Sequence, residues 1–232
     1  MSLLKHLTEG ELTVSGRLVD ASNATLFGQC TFNQVEIPVI YKPIAGERPL
    51  WDFPDGNLAK RERAAFLISE LGSWNLVPLT ILREGPFGEG MVQLWIDLDE
   101  SIELADFYSS DDPRLRAMAI FDAVINNSDR KIGHLLPTQD GALFGCDHGV
   151  TFHEEDKLRT VLWRWAGQRL SSDEIEQLTE LRSTLAIEMA TLTALVTENE
   201  FAALMKRVNR LIETGTFPEP SDDWPAVPWP PF

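Results

Sequence analysis

FGQCTFNQVEIPVIYKPIAGERPLWDFPDGNLAKRERAAFLISEL, residues 27–71, changes its structural character partway along. Its opening, 27–42, is rich in β-branched and aromatic side chains, the composition of strands. A turn-rich segment follows, and Asn57 is well placed to cap a helix. LAKRERAAFLISEL then carries Leu58, Ala64, Leu67, Ile68 and Leu71 at helical spacing and stops at Gly72. Upstream, ELTVSGRLVD (11–20) alternates as a strand does, and Ser22, Asn23, Ala24 and Thr25 read as a turn. Downstream, VPLTILRE and EGMVQLWID read as two strands around the hairpin turn GPFGEG (85–90). The first part of the chain is therefore strands, one helix, then strands.

Beyond Asp97 the pattern becomes helical. Asp112 and Pro113 are an N-cap and first helical residue for PRLRAMAIFDAVI, whose inner face is Leu115, Met118, Ala119 or Phe121, and Ile125. KLRTVLWRW (157–165) reads as a further helix. SSDE (171–174) is a capping box that opens a long helix through Leu178, Leu181, Leu185, Met189 and Leu192, and TENE (197–200) opens a last one ending at Gly215. The tail FPEPSDDWPAVPWPPF is proline-rich and must be extended, and its two tryptophans suggest that it lies against the body of the protein. The expected division is 1–97, a β-rich lobe; 98–218, a helical lobe; and 219–232, an extended tail.

The chain has 232 residues, enough for one sizeable core, and its 44% hydrophobic content is ordinary for a globular protein. Thirty-six acidic against 20 basic residues give a net charge of −16. Such a surface repels nucleic acid and anionic lipid, so neither is expected as a partner. Two cysteines, Cys30 and Cys146, make no disulfide framework and read as reduced, buried thiols. MSLLKHLTEGE lacks a signal-peptide core and no stretch approaches the length of a membrane span, so a cytoplasmic protein is expected.

The expected fold class is α+β: a β-rich lobe with one helix, then a mainly helical lobe, with acidic loops at the junction. That is the plan of a two-lobed, protein-kinase-like fold. Phosphoryl transfer needs a turn over the phosphates, a lysine on them, an acid holding that lysine, a catalytic aspartate and metal ligands. The chain offers these in order. The turn holds Asn23 and Thr25, Lys42 ends VIYK, and Glu62 lies on the next helix. Asp129 follows a helix in NNSDRKIGH (126–134), and Asp147 lies in GCDHGVTF (145–152).

These residues resemble a known superfamily. KPIAGERPLWDFPDGNLAKRERAAFLISE looks like the lysine-to-helix segment of the phosphatidylinositol 3- and 4-kinase-like superfamily, which includes HipA-type serine kinases. NNSDRKIGH resembles its DRH-x-x-N catalytic loop, and CDHG its metal-binding Asp-Phe-Gly equivalent. Within it the chain is most similar to a small bacterial family only distantly like those kinases.

The resemblance implies roles for individual residues. Lys42 would contact the α/β-phosphates and pair with Glu62. Asp129 would orient or deprotonate an acceptor hydroxyl, with Arg130 a structural or charge-balancing partner. Asp147 would ligate Mg²⁺ or Mn²⁺, and the hinge around Leu94, Trp95 and Ile96 would hold the adenine of ATP. The chain departs from the pattern at two places: Lys131 replaces the usual His, and His134 stands where a metal-binding Asn is expected. An imidazole there tilts preference from Mg²⁺ towards Mn²⁺.

The expected function is an ATP-dependent phosphotransferase acting on a hydroxyl-bearing, small-molecule acceptor. The alternatives are a nucleotide-binding pseudokinase, a HipA-type protein serine/threonine kinase, or a zinc hydrolase using His134, Asp147, His148 and His153.

Overall fold

The computed structural model describes residues 2–18, 24–53 and 57–232. A short helix, α1 (Leu3–Glu9), leads into β1 (Glu11–Arg17), β2 (Leu26–Phe32) and β3 (Val35–Pro43). Helix α2 (Leu58–Leu71) follows, then β4 (Thr80–Gly85) and β5 (Gly88–Leu94). The five strands form one antiparallel sheet in the order β1-β2-β3-β5-β4. The stretch 27–42 is two strands, because Asn33 and Gln34 turn the chain at φ of 49° and 65°. Asparagine tolerates that left-handed geometry better than most residues.

Asn57 caps α2 as expected, its side chain accepting from the Lys60 N–H. One side of the sheet buries Leu12, Cys30, Val39, Tyr41, Ile81 and Val92 together with Leu7 of α1. α1 went unread in the sequence: it buries only His6 and Leu7, too little for a periodic signal.

The rest is mainly helical: α3 (Leu104–Tyr108), α4 (Pro113–Ile125), the small hairpin β6 (Leu135–Pro137) and β7 (Leu143–Gly145), α5 (Ser172–Ile187), α6 (Met189–Thr193) and α7 (Glu198–Thr214). Asp112, Ser171 and Thr197 cap α4, α5 and α7, the latter two in full capping boxes. The larger core packs α4 (Leu115, Met118, Phe121, Ile125) against α5 (Leu178, Leu181, Leu185) and α7 (Phe201, Leu204, Val208). The α+β class and the order of sheet before helices are as the sequence indicates.

Two helix expectations are corrected. Residues 157–165 are not helical apart from a 3₁₀ turn at Trp163–Trp165. Their backbone is committed elsewhere: Arg159 N–H to Asn127 O, Arg130 N–H to Arg159 O, and Val161 N–H to Arg130 O. The helix starting at 172 ends at Ile187, which is 80% exposed, and the chain bends at Glu188. The bend returns Leu192 and Val196 to the core, an outcome that heptad-like spacing alone does not foresee.

Candidate active site

Strand β3 and helix α2 place Lys42 and Glu62 side by side, with Nζ 2.7 Å from Oε1. The same ammonium pairs with the Asp147 carboxylate. Glu62 is 2% exposed, and its other oxygen accepts the His148 backbone N–H at 3.0 Å. Burial opposes the charge on Lys42, but Asp147 and Glu62 outweigh it and raise its pKa. The ammonium in turn holds Asp147 well below the usual carboxylate range. One lysine thus ties the sheet and α2 to the loop after β7.

Helix α4 ends at Asn126, which adopts left-handed geometry (φ 53°, ψ 53°) and turns the chain out of the helix. Asn127 Nδ2 donates to Asp122 Oδ1, and its own Oδ1 accepts the Asp129 N–H at 3.0 Å. That fixes the backbone under Asp129. The Asp129 side chain is 35% exposed, lies 3.5 Å from Lys131 Nζ and has its pKa raised by burial.

Arg130 points the other way. It is 0% exposed, bonds Asp122 through Nε and Nη2, donates to Cys146 O and meets His148 Nε2 at 2.7 Å. Its side chain lies beneath the loop of Asp129, holding Asp122 to the Asp147 loop.

His134 is 3.5 Å from Asp147 through Nε2, while its Nδ1 faces the Lys131 N–H at 3.4 Å. Burial lowers its pKa to about 4, so the ring is neutral near pH 7. His148 is fully buried on Arg130 and Phe121, and its pKa is also pushed down by burial. His153 packs against Phe53 and accepts from the Glu155 N–H. The four residues of the zinc reading are therefore not gathered together. Among the described residues no group of three or more His, Cys, Asp or Glu could hold a metal alone. Cys146 is a thiol whose pKa burial pushes up to about 12.

Lys42, Glu62, Asp129, Asp147 and Thr25 all line one cavity of about 680 Å³. Asn23 lies outside the described residues. At the hinge, the Leu94 N–H bonds Leu79 O and the Trp95 N–H bonds Pro38 O. Trp95 also packs its ring edge-on to Phe27. The Ile96 N–H is left as the backbone donor there without a hydrogen bond among the described residues.

The structure adds Lys157 and Arg159 to the cavity lining and Asp122 to the network beneath it, none of which was expected from the sequence. Asp122 had a signal, a carboxylate set in the apolar run of α4. The other two were hidden by the helix assigned to their segment.

This architecture is an atypical-kinase fold. Solved structures with it include hydra Fam20 with sugar (14% identity, TM-score 0.60, 91% of this chain and 87% of that one). The Golgi casein kinase with Mn/ADP bound is similar at 14% identity and a TM-score of 0.59, over 91% of this chain and 74% of that one. The Helicobacter pylori proinflammatory kinase CtkA matches at 11% identity and 0.52, over 91% and 94%. At such identities the likeness is one of fold. By sequence, the chain belongs to the family of Protein Rv2133c of Mycobacterium tuberculosis. It is 41% identical to that protein over 262 aligned positions, covering 97% of this chain and 94% of the relative. No family model matches the chain. Among the described residues no helix is long and apolar enough to cross a membrane.

Proposed function

We propose that the protein is an atypical kinase that transfers the γ-phosphate of ATP to a hydroxyl group on a small molecule. The observation that carries this reading is the convergence of Lys42, Glu62 and Asp147 from three separate elements onto a cavity that Asp129 also lines. In this reading Lys42 holds the α/β-phosphates, Glu62 keeps it in place, and Thr25 with Asn23 covers the phosphates. The backbone of Leu94, Trp95 and Ile96 receives the adenine, chiefly at the Ile96 N–H. Asp129 takes the acceptor proton, a role its raised pKa suits. Lys131 beside it can balance charge on the group in transfer. The lobe boundary is placed at 97/98, between β5 and α3, and the tail at 219–232.

Asp147 and His134 would hold a divalent cation, Mg²⁺ or Mn²⁺, which when bound neutralises phosphate oxygens. The donors fit that use: Mg²⁺ and its relatives commonly take one or two protein ligands and complete their shell from phosphates and water. The neighbouring fold's Golgi casein kinase, seen with Mn/ADP, supports such use. The likeness to phosphatidylinositol 3-/4-kinase-like and HipA-type enzymes is kept as part of this reading. So is a small-molecule acceptor, since only residues 148–170 separate Asp147 from the helix that Ser171 caps, and the backbone of Arg159, Thr160 and Val161 within them is bonded to Asn127, Arg130 and Ala226.

ATP or ADP with Mn²⁺ or Mg²⁺, at about 100 times its Kd, should stabilise the fold by about 2.7 kcal/mol. For a chain of this size that is a rise in Tm of roughly 5–10 °C. Absence of a shift with either metal would sink the reading at its first step.

One contact favours a second role for His134. A backbone N–H directed at Nδ1 leaves the ring proton on Nε2, where it would donate to Asp147 instead of binding metal. The variant His134→Asn separates the two. Metal ligation predicts that preference moves from Mn²⁺ to Mg²⁺ in transfer assays; an unchanged preference with weaker activity makes His134 a positioning residue.

A further inference from the structure

The cavity runs past Asp129 to a second set of walls that the phosphotransfer reading leaves without work: Arg48, Trp51, Lys157, Arg159, Trp224 and Pro225. Arg48, Lys157 and Arg159 bring positive charge to a molecule carrying −16 overall, although Asp52 and Glu47 share the lining, Glu47 being bonded to the Leu58 and Ala59 N–H groups. Lys157 and Arg159 stand two apart on an extended segment, so both face the cavity, while Leu158 between them packs on the helical core. The segment cannot slide, because Arg159 N–H and C=O are both bonded to the catalytic loop, at Asn127 O and Arg130 N.

The Arg159 Nε is buried and has no hydrogen-bond partner among the described residues. The Nε itself is sealed off, but the Arg159 side chain lines the cavity and its guanidinium makes no hydrogen bond or ion pair among the described residues, so its terminal donors are those a ligand can take up. Lys157 is 6% exposed and lies between two indoles, 4.5 Å from the Trp224 centroid and 5.6 Å from that of Trp51. Glu155 and His153 also reach its Nζ, at 3.3 and 3.2 Å. The tail closes this end: Ala226 O accepts from the Thr160 N–H and from Trp163 Nε1, which sets Trp224 and Pro225 over the opening.

We propose that the acceptor is a small hydroxyl compound that also bears an anionic group, a phosphate or carboxylate, received by Arg159 with Lys157 beside it. This rests on the kinase reading and deepens it. The anion anchors one end of the acceptor on Arg159, which lets the hydroxyl reach Asp129, and the indoles of Trp51 and Trp224 bound the space between. Arg is suited to this because its planar fork meets two oxygens at once.

The test uses the full chain saturated with a non-hydrolysable ATP analogue and Mn²⁺, so that the γ-phosphate position is filled. Inorganic phosphate, and separately acetate, is titrated at constant ionic strength while Tm is followed. Saturable stabilisation by at least one of them is expected, and Arg159→Gln should weaken its affinity roughly 10- to 100-fold, with the analogue's own affinity unchanged. The proposal is overturned by no saturable anion effect, by equal anion affinity in Arg159→Gln, or by an equal loss of analogue affinity, which would make Arg159 a nucleotide contact. A serine peptide flanked by glutamates, if it binds more tightly than either anion and through Arg159, would transfer the subsite to a protein acceptor and so overturn the small-molecule assignment. Failure of the analogue to bind the unaltered chain would bring down the kinase reading itself, and this proposal with it.

Discussion

Asp129→Asn is expected to lower phosphoryl transfer by roughly 10²–10⁴, the usual contribution of a positioned general base. Nucleotide affinity should stay nearly constant, because Asp129 is bonded to none of Lys42, Glu62 and Asp147. The substitution keeps the side chain's size and can keep a contact to Lys131, so the fold should survive. The two readouts are single-turnover transfer from labelled ATP and a nucleotide titration on the same preparation. Unchanged turnover would remove Asp129 from the mechanism. Equal losses of binding and turnover would place it among the nucleotide contacts.

Asp122→Ala should cost about 3–5 kcal/mol of folding stability, the size seen when one member of a buried ion pair is removed. Asp122 and Arg130 are both 0% exposed, and the carboxylate also receives Asn127 Nδ2 and Thr160 Oγ1. Deleting it strands a buried guanidinium and two further donors at once. Asp122→Asn, which retains an acceptor oxygen, should cost less and serves as the variant that still folds. Urea unfolding followed by tryptophan fluorescence gives both values. A loss under about 1 kcal/mol for the alanine variant would mean that Arg130 finds other partners, and that the network under the loop of Asp129 is not what holds it.

Much of the fold could be read because its signals are local. Asn57, Asp112, Ser171 and Thr197 cap helices through their own side chains within three residues, and such bonds are written in the sequence. The sheet followed from alternation and from turn residues at 85–88. What failed was non-local. Residues 157–165 have a composition that a helix tolerates, but backbone N–H and C=O groups among them are bonded to Asn127 and Arg130, far back along the chain, and to Ala226, far ahead.

The candidate site divides in the same way. Lys42, Glu62, Asp129 and Asp147 could be proposed from their order along the chain. Arg130 could not be separated from Asp129 until its side chain was seen to turn into the core. Lys157 and Arg159 come to the cavity only because the segment is extended.

The bond from the His148 N–H to Glu62 carries one more implication. In many phosphotransferases the helix bearing such a glutamate swings in and out, and that swing is the switch. Here the glutamate is clasped from both sides, by the lysine of the sheet and by the loop of Asp147, and the stretch beyond that loop is sewn to its neighbours at Asn127, Arg130 and Ala226. Glu62 is thus a joint between sheet, helix and loop, so a change at any one of the three is felt by the other two, as when one leg of a tripod is moved.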